Sequence, residues 1–268
     1  MNYFEENSTN SLDQTWAFIN CEVADHVMTL TLNRPAKKNA LHPQMVNEIA
    51  FALSHAHHNK DIRAILLKAE GDVFCSGADL KAFMGVSEEF ESTIPSTTKQ
   101  VLMGEIFQEV HKPIICQLHA NIMAGGLFFL TGSHFVIADQ KVTLGLPEVK
   151  RGLFPFQVMD SLLRVMPERI VMDWCVKGKT LDAEYCHKFN LIQKIVNNNI
   201  DESVSEWLNK IIRMSPNAVK SGLKIYDELY IDDEKIQKLN VELRKLKDSD
   251  DFLEGIKAFN EKRNPEWK

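Results

Sequence analysis

Gly125, Gly126 and Glu148 are the residues whose types and spacing could carry chemistry. The two glycines precede an apolar run at 127–130, which indicates a helix start whose first backbone N–H groups have no partner within the helix. Such N–H groups can stabilise an anion or a polarised carbonyl. Glu148 is the one carboxylate in an otherwise apolar neighbourhood, and Pro147 stiffens its approach. Oxyanion donors and one carboxylate are what enolate chemistry requires.

Each of these residues also has a structural interpretation. A Gly-Gly pair can mark close backbone packing alone, and Glu148 could be a surface carboxylate at a strand end. A second small-residue turn, SGAD at 76–79, follows a predicted strand and favours a chemical site. Phe129 is interpreted as core, and Cys75 as a small buried residue because no histidine is placed to activate it.

A metal site is not predicted. His55, His57 and His58 end a predicted helix with no cysteine or carboxylate nearby, so a solvated helix end is the better interpretation. The five cysteines are widely spaced without a CxxC pair, which favours a reducing compartment.

Strands and helices alternate over the first 200 residues, and only helices follow. A hairpin is expected at 18–23 and 26–33. The remaining predicted strands are 63–68, 113–118, a β-branched run from 135, a segment ending at 145, and the end of 188–196. The predicted helices are 42–58, 101–110, 158–166, 169–177, 202–213, 216–230, 234–247 and 250–262. The pattern predicts an α/β core over 1–200 and a helical region over 201–268.

Three segments have weaker patterns. Residues 1–15 are predicted to form a loose tail, and 85–100 a mobile lid or surface excursion. Asn190 is expected to adopt a left-handed cap conformation.

Composition excludes several classes of function. The chain has 268 residues, 44% hydrophobic and 25% charged, which is enough for one large domain with a real core. A net charge of −6 argues against nucleic acid as the main partner. No apolar run reaches the roughly 18 residues that span a bilayer, and the acidic N-terminus resembles no leader peptide. A cytoplasmic protein without membrane partners is expected.

Six collinear motifs resemble the crotonase superfamily, the enoyl-CoA hydratases and isomerases. They are LNRPAKKNAL (32–41), FCSGADLKAF (74–83), AGGL (124–127), GLPEVKRGLFP (145–155), SPNAVKSGLK (215–224) and FNEKRNPEW (259–267). The resemblance implies a spiral of β-β-α units around two sheets. It also implies that the helical C-terminal region packs homotrimers, often paired into hexamers.

The resemblance further implies a site for an acyl-CoA thioester. The N–H groups of Ala78 and Gly125 would form an oxyanion hole, and Glu148 would be the catalytic acid and base. Substrate contacts are expected from residues near both turns: Lys38, Asn39, Asp79, Leu80, Lys81 and Met123. Lys37, Lys262 and Arg263 could also approach the CoA nucleotide. No metal or redox cofactor is implied, because CoA arrives as part of the substrate.

One departure from the family pattern affects the predicted reaction. Family hydratases use two glutamates, and the first falls here on Phe128, which cannot move a proton. The acyl end of the pocket is therefore expected to be lined by Phe128, Phe156 and Met159, and to raise the pKa of Glu148. A single carboxylate favours double-bond isomerisation slightly over hydration, unless Asp160 or Glu105 enters the site. Alternatives are a weakly catalytic acyl-CoA-binding or scaffold protein, decarboxylation, and thioester hydrolysis.

Overall fold

The structure is a computed structural model that describes residues 1–5, 8–86, 88–229 and 233–266. Its mixed α/β architecture, with a helical C-terminal region, confirms the predicted fold class. The boundary near residue 200 between two domains stays a prediction.

Ten strands form two sheets in the part of the chain that the structure describes. The six-stranded sheet has the order β1 (Ile19–Ala24), β2 (Val27–Leu32), β3 (Ala64–Ala69), β5 (Ile114–Leu118), β7 (Phe135–Asp139), β10 (Lys194–Val196). The four-stranded sheet has the order β4 (Val73–Cys75), β6 (Asn121–Met123), β8 (Thr143–Gly145), β9 (Thr180–Asp182). Successive strand pairs β3–β4, β5–β6 and β7–β8 each place one strand in either sheet, which is the predicted spiral.

In the described residues, helices alternate with the strands up to β10, and four helices follow that strand. They are α1 (Pro43–His58), α2 (Leu80–Phe83), α3 (Phe128–Thr131), α4 (Phe156–Leu163), α5 (Glu168–Lys177), α6 (Ala183–Lys188), α7 (Ile200–Ile211), α8 (Pro216–Glu228), α9 (Asp233–Lys247) and α10 (Asp250–Glu261). Three short 3-10 helices are Pro35–Lys37, Ala124–Leu127 and Glu148–Arg151. Asn190 has the predicted left-handed conformation, with φ of 65°.

The main core fills the space enclosed by the two sheets and the helices around them. Helix α1 contributes Met45, Ile49 and Leu53, all fully buried, at the one-turn spacing that its sequence predicts. A second, smaller core lies where Val204 and Leu208 of α7 pack against the other face of the six-stranded sheet. Apolar side chains of the six-stranded sheet are therefore buried on both of its faces, as expected for a sheet of mainly parallel strands.

The hairpin β1–β2 turns at Asp25 and His26, which both have positive φ, at 46° and 67°. Two central residues of positive φ define the type I′ turn, whose twist matches that of the two strands.

The predicted helix at 101–110 is wrong. The segment forms consecutive turns in which the Glu105 and Ile106 N–H groups both donate to the Leu102 carbonyl, at 3.0 and 3.1 Å. Gly104 explains the difference, because it disfavours a helix and lies against Phe128. A Cβ on Gly104 would be 3.3 Å from the Phe128 ring.

The N-terminal residues are not a loose tail in the described parts of 1–15. Tyr3 is buried in the main core, where its hydroxyl donates to Glu109. Residues 88–100 contain no helix or strand and run over the surface, in agreement with a surface excursion. Ser92 fastens this segment by donating to Glu48 of α1 at 3.1 Å. The predicted mobility of 85–100 stays a prediction.

Within the described ranges, no helix is both long and apolar enough to cross a membrane. All five cysteines are free thiols.

Candidate active site

A cavity of about 260 Å³ lies where the turn after β4, the turn after β6, and helices α4 and α9 meet. Most of its wall is apolar. Five residues that the sequence predicts for the site line it: Ala78, Leu80, Gly125, Phe128 and Glu148.

Ala78 lies in a turn that only glycine at position 77 permits. Gly77 has φ of 90°, and a Cβ there would be 2.6 Å from the Ala124 Cβ. The Leu41 N–H donates to the Gly77 carbonyl at 2.8 Å, and the Asp79 N–H donates to the Leu41 carbonyl at 3.1 Å. In this parallel bridge the N–H of Ala78 itself points away from Leu41.

Gly125 brings a second backbone N–H close to the first. It is the second residue of the 3-10 helix Ala124–Leu127, where an N–H has no partner within the helix. A Cβ on Gly77 would be 3.3 Å from the Gly125 nitrogen, and a Cβ on Gly125 would be 3.9 Å from the Ala78 nitrogen, so the two turns lie side by side. Gly126 allows close packing of this helix against β4, because a Cβ at this position would lie 3.0 Å from the Cys75 Cβ.

Glu148 begins the 3-10 helix Glu148–Arg151 directly after Pro147, at the cavity wall. Its Oε2 atom is buried and has no hydrogen-bond partner among the described residues. Burial raises the pKa of the Glu148 carboxyl to about 7, although a hydrogen bond from its own backbone N–H and the Arg151 charge oppose the rise. The carboxylate can therefore accept and release a proton near neutral pH.

Phe128 starts α3 one turn after Gly125, and its ring faces the cavity beside Gly104. Phe129 points the other way and is fully buried between Phe74 and Phe107, with ring centroids 5.8 Å from each. The interpretation of Phe129 as core is confirmed.

Two further carboxylates, Glu105 and Asp160, also line the cavity. The sequence does not decide whether these two carboxylates enter the site. For Glu105 no periodicity could predict it, because its segment is not a regular helix. Among the described residues, the site therefore presents three carboxylates and not one.

Two of the three residues predicted for the acyl wall do not line this cavity, and their contact with an acyl chain stays a prediction. Phe156 and Met159 do not line the cavity, and Phe154 and Val158 do. The Phe156 ring instead packs 5.1 Å from that of Phe154, and Met159 packs against the main core. The register of α4 is the reason, since it turns positions 157, 160, 161 and 164 to the cavity.

Asn39 and Asp79 have structural roles that the sequence does not predict. The fully buried Asn39 amide donates to the carbonyls of Glu70 and Val73, at 2.8 and 2.9 Å, so its side chain is not available for substrate. Asp79 caps α2 by accepting the Lys81 and Ala82 N–H groups. It also pairs with Arg34 at 2.8 Å, and Arg34 pairs with Glu88.

Lys38, Lys81 and Met123 do not line the cavity. Lys38 and Lys81 are exposed, and the Lys38 carbonyl accepts the Ser76 N–H at 3.0 Å, so the lysine lies beside the 76–79 turn. Met123 packs along Gly145. Their contacts with a substrate stay predictions.

Arg164, at the end of α4, lines the cavity and was missed. Its spacing from Gln157, Asp160 and Ser161 was a usable signal, because positions i, i+3, i+4 and i+7 share one helix face. No group of three His, Cys, Asp or Glu side chains suited to a metal is found in the described ranges.

Fold and site together define an enzyme class. The sequence model of the enoyl-CoA hydratase/isomerase family matches residues 22–268, so the chain belongs to that family, within the crotonase superfamily. It is therefore an enzyme of the acyl-CoA type.

Named relatives are similar to this chain over nearly its whole length. The mevalonyl-coenzyme A hydratase sidH of Aspergillus fumigatus is 27% identical, covering 91% of this chain and 92% of that protein. Enoyl-CoA hydratase EchA19 of Mycobacterium tuberculosis is 29% identical, covering 90% and 93%. A crystal structure of carnitinyl-CoA hydratase from Mycobacterium avium superposes with a TM-score of 0.82 at 25% identity, covering 95% and 99%.

Proposed function

We propose that the enzyme moves a proton between carbons of an enoyl-CoA thioester, with Glu148 as the single acid and base. The observation that carries the proposal is the buried Oε2 of Glu148, which has no hydrogen-bond partner among the described residues. Phe128 lines the same cavity, at the position where the family resemblance implies a second glutamate in hydratases. Double-bond isomerisation needs one group that removes a proton and returns it to another carbon.

The thioester carbonyl would bind between the N–H groups of Ala78 and Gly125. The closeness of the two turns supports this assignment, since both N–H groups can then reach one oxygen. Preorganised donors of this kind are worth about 3 kcal/mol each to an oxyanion-like transition state. The negative charge that develops when Glu148 removes the proton would be held there.

Hydration is a second candidate, and a specific observation favours it. Glu105 and Asp160 line the same cavity, so either could help Glu148 hold a water. The relatives that match the chain also carry hydratase names. The family resemblance argues the other way, because it implies that Phe128 stands at the position of the first glutamate of a hydratase.

Ultraviolet absorbance of the conjugated thioester separates the two reactions. The enzyme is given 3-enoyl-CoA in one experiment and 2-enoyl-CoA in another. Isomerisation predicts a rise with the 3-enoyl substrate. A fall with the 2-enoyl substrate and no rise with the other would establish hydration and overturn the proposal.

A further inference from the structure

The 3-10 helix Glu148–Arg151 carries an arginine on the same side as the candidate base. Side chains at i and i+3 of a 3-10 helix are eclipsed, so Glu148 and Arg151 project from one side of it. Arg151 is half-buried, whereas the neighbouring Lys150 is exposed. The two cations of this short helix therefore have different surroundings.

Helix α10 packs directly against this 3-10 helix at two glycines. A Cβ on Gly152 would be 2.4 Å from the Asp251 carbonyl oxygen, and a Cβ on Gly255 would be 2.4 Å from the Arg151 carbonyl carbon. Neither position has room for a larger side chain, so the two backbones meet. This contact fixes the Arg151 backbone relative to α10.

The Arg151 side chain is held by the same helix. Its guanidinium carbon lies 4.3 Å from the centroid of the Phe259 ring. Phe259 follows Gly255 by four residues, so both lie on the face of α10 that meets the 3-10 helix. A guanidinium over an aromatic face is attracted by the ring. Helix α10 therefore fixes both the backbone and the charged group of Arg151.

Arg151 and Glu148 influence each other's ionisation. Burial raises the pKa of the Glu148 carboxyl, and the Arg151 charge opposes that rise. Burial lowers the pKa of the Arg151 guanidinium, and the Glu148 charge opposes that fall. The arginine therefore favours the ionised form of a carboxyl whose Oε2 atom has no hydrogen-bond partner among the described residues.

The charged groups of the cavity wall do not replace Arg151. The wall carries the carboxylates Glu105 and Asp160 and the cation Arg164. Arg164 lies 3.9 Å from the buried Asp227 carboxylate, which offsets its charge.

The helices packed against the 3-10 helix also carry titratable groups. On α5, burial and the Glu148 charge raise the pKa of the Cys175 thiol to about 12, so this thiol stays neutral. On α10, the Asp251 side chain is exposed. Arg151 is thus the cation that is placed to act on Glu148.

We propose that Arg151 is a positioning residue for the reaction, which acts through Glu148. Its guanidinium, fixed by the contacts with α10, stabilises the ionised form of the Glu148 carboxyl and increases the fraction of enzyme whose base is ionised at neutral pH. The inference rests on the proposed role of Glu148 and names a residue, itself not part of the cavity wall, on which that role depends.

The pH profile of kcat/KM tests the inference, because a residue that only stabilised the fold would lower the plateau without moving the inflection. Arg151→Met and Arg151→Gln both remove the charge, so the test does not depend on the folding of one variant. Each should move the inflection to higher pH by about 0.5 unit or more, since loss of a nearby cation destabilises the carboxylate. At pH 6, kcat/KM should then be about threefold or more below wild type, and at pH 9 within about twofold of it.

Three further variants assign the shift to the Arg151 charge and its anchor. Arg151→Lys keeps the charge and should recover most of the wild-type inflection. Phe259→Leu removes the ring that holds the guanidinium and should give a smaller shift in the same direction. The matched control, Lys150→Met, removes an equal charge from the adjacent, exposed position and should leave the inflection unchanged.

The outcomes distinguish this inference from the proposed function. An unchanged inflection in both variants that lack the charge would overturn the inference and leave Glu148 as the base. An equal shift in Lys150→Met would also overturn it, because net charge alone would then be the cause. An unchanged inflection in Phe259→Leu would overturn the anchoring by α10. A wild-type kcat/KM that stays level from pH 9 down to pH 5 would overturn the proposed role of Glu148, and the inference with it.

Discussion

At the scale of single residues, the Glu148 carboxyl is buried, and its Oε2 atom has no hydrogen-bond partner in the part of the chain that the structure describes. A carboxylate that the protein used only for stability would be paired or exposed, because an unpaired buried charge is costly. The carboxyl instead has a pKa raised by burial to about 7. It is therefore ionised in part of the molecules at neutral pH while remaining a strong enough base to take a carbon-bound proton.

The pH dependence of kcat/KM should report this group. If Glu148 acts as the base, its ionised form is the active one, so kcat/KM should fall about tenfold per pH unit below about pH 7 and level off above it. An initial-rate profile between pH 5 and 9 measures this. A kcat/KM that stays level from pH 9 down to pH 5 would show that a carboxyl with a pKa near 7 is not the essential group.

Replacing glycine by alanine should have opposite effects on stability in the turn at Gly77 and in helix α8 at Gly222. Gly77→Ala should destabilise the protein by about 2 kcal/mol or more, because φ is 90° and the new Cβ would meet Ala124. Gly222→Ala, in α8 with open space around the new Cβ, should stabilise it by about 0.5–1 kcal/mol. Urea unfolding measures both. Equal effects would contradict the strained turn.

At the scale of elements, the turn that carries Ala78 is held from both sides. Its backbone pairs with Leu41, and Asp79 at its end caps α2 and pairs with Arg34. Arg34 in turn pairs with Glu88 in the surface segment that follows α2. The direction of the Ala78 N–H is thus fixed by residues that do not themselves line the cavity.

Two helix caps provide a matched test of this support. Asp79→Ala removes the α2 cap and an Arg34 partner, and should cost about 2 kcal/mol of stability and also lower kcat. Asp182→Ala removes the α6 cap and should cost about 1 kcal/mol with kcat unchanged. Urea unfolding and rate assays at a temperature where both variants are folded separate the two effects. An unchanged kcat in the Asp79→Ala variant would show that Asp79 does not position the turn that carries Ala78 for catalysis.

The sequence predicts elements well where local pattern and packing agree. The hairpin and α1 show this, since alternation and one-turn spacing are also what the core requires. The sequence-based prediction is wrong at 101–110, which forms turns and not a helix. Gly104 in this segment packs against Phe128, and local sequence does not reveal that contact. It does not predict which side of α4 faces the cavity, because that side depends on the register in which the helix packs. The buried role of Asn39 likewise depends on carbonyls more than thirty residues away.

At the scale of the whole molecule, the C-terminal helices carry apolar side chains that the single chain leaves uncovered. Ile225, Leu229, Leu253 and Phe259 are 52–74% exposed. Ile225 and Leu229 lie one helical turn apart at the end of α8, and adjacent exposed apolar residues are typical of surfaces that associate. This observation supports the homotrimer or hexamer that the family resemblance implies.

Light scattering on purified protein should give about three or six times the chain mass of 30.6 kDa. Substituting one of the exposed residues with a charge, as in Leu229→Lys, should shift the population towards monomer, because a charge is costly to bury. Val23→Lys, at an exposed apolar site on β1, is the control and should not change the mass. A monomeric wild-type protein would refute the oligomer prediction.

The most direct test of the account compares the wild-type enzyme with Glu148→Gln on a 3-enoyl-CoA at pH 8. Formation of the conjugated thioester is followed by absorbance, and affinity for a saturated acyl-CoA by calorimetry. The account predicts a rate 10²–10⁴-fold lower in the variant, with affinity within about threefold of wild type, because glutamine fills the same space but moves no proton. A variant that retains the wild-type rate would contradict the central role of Glu148.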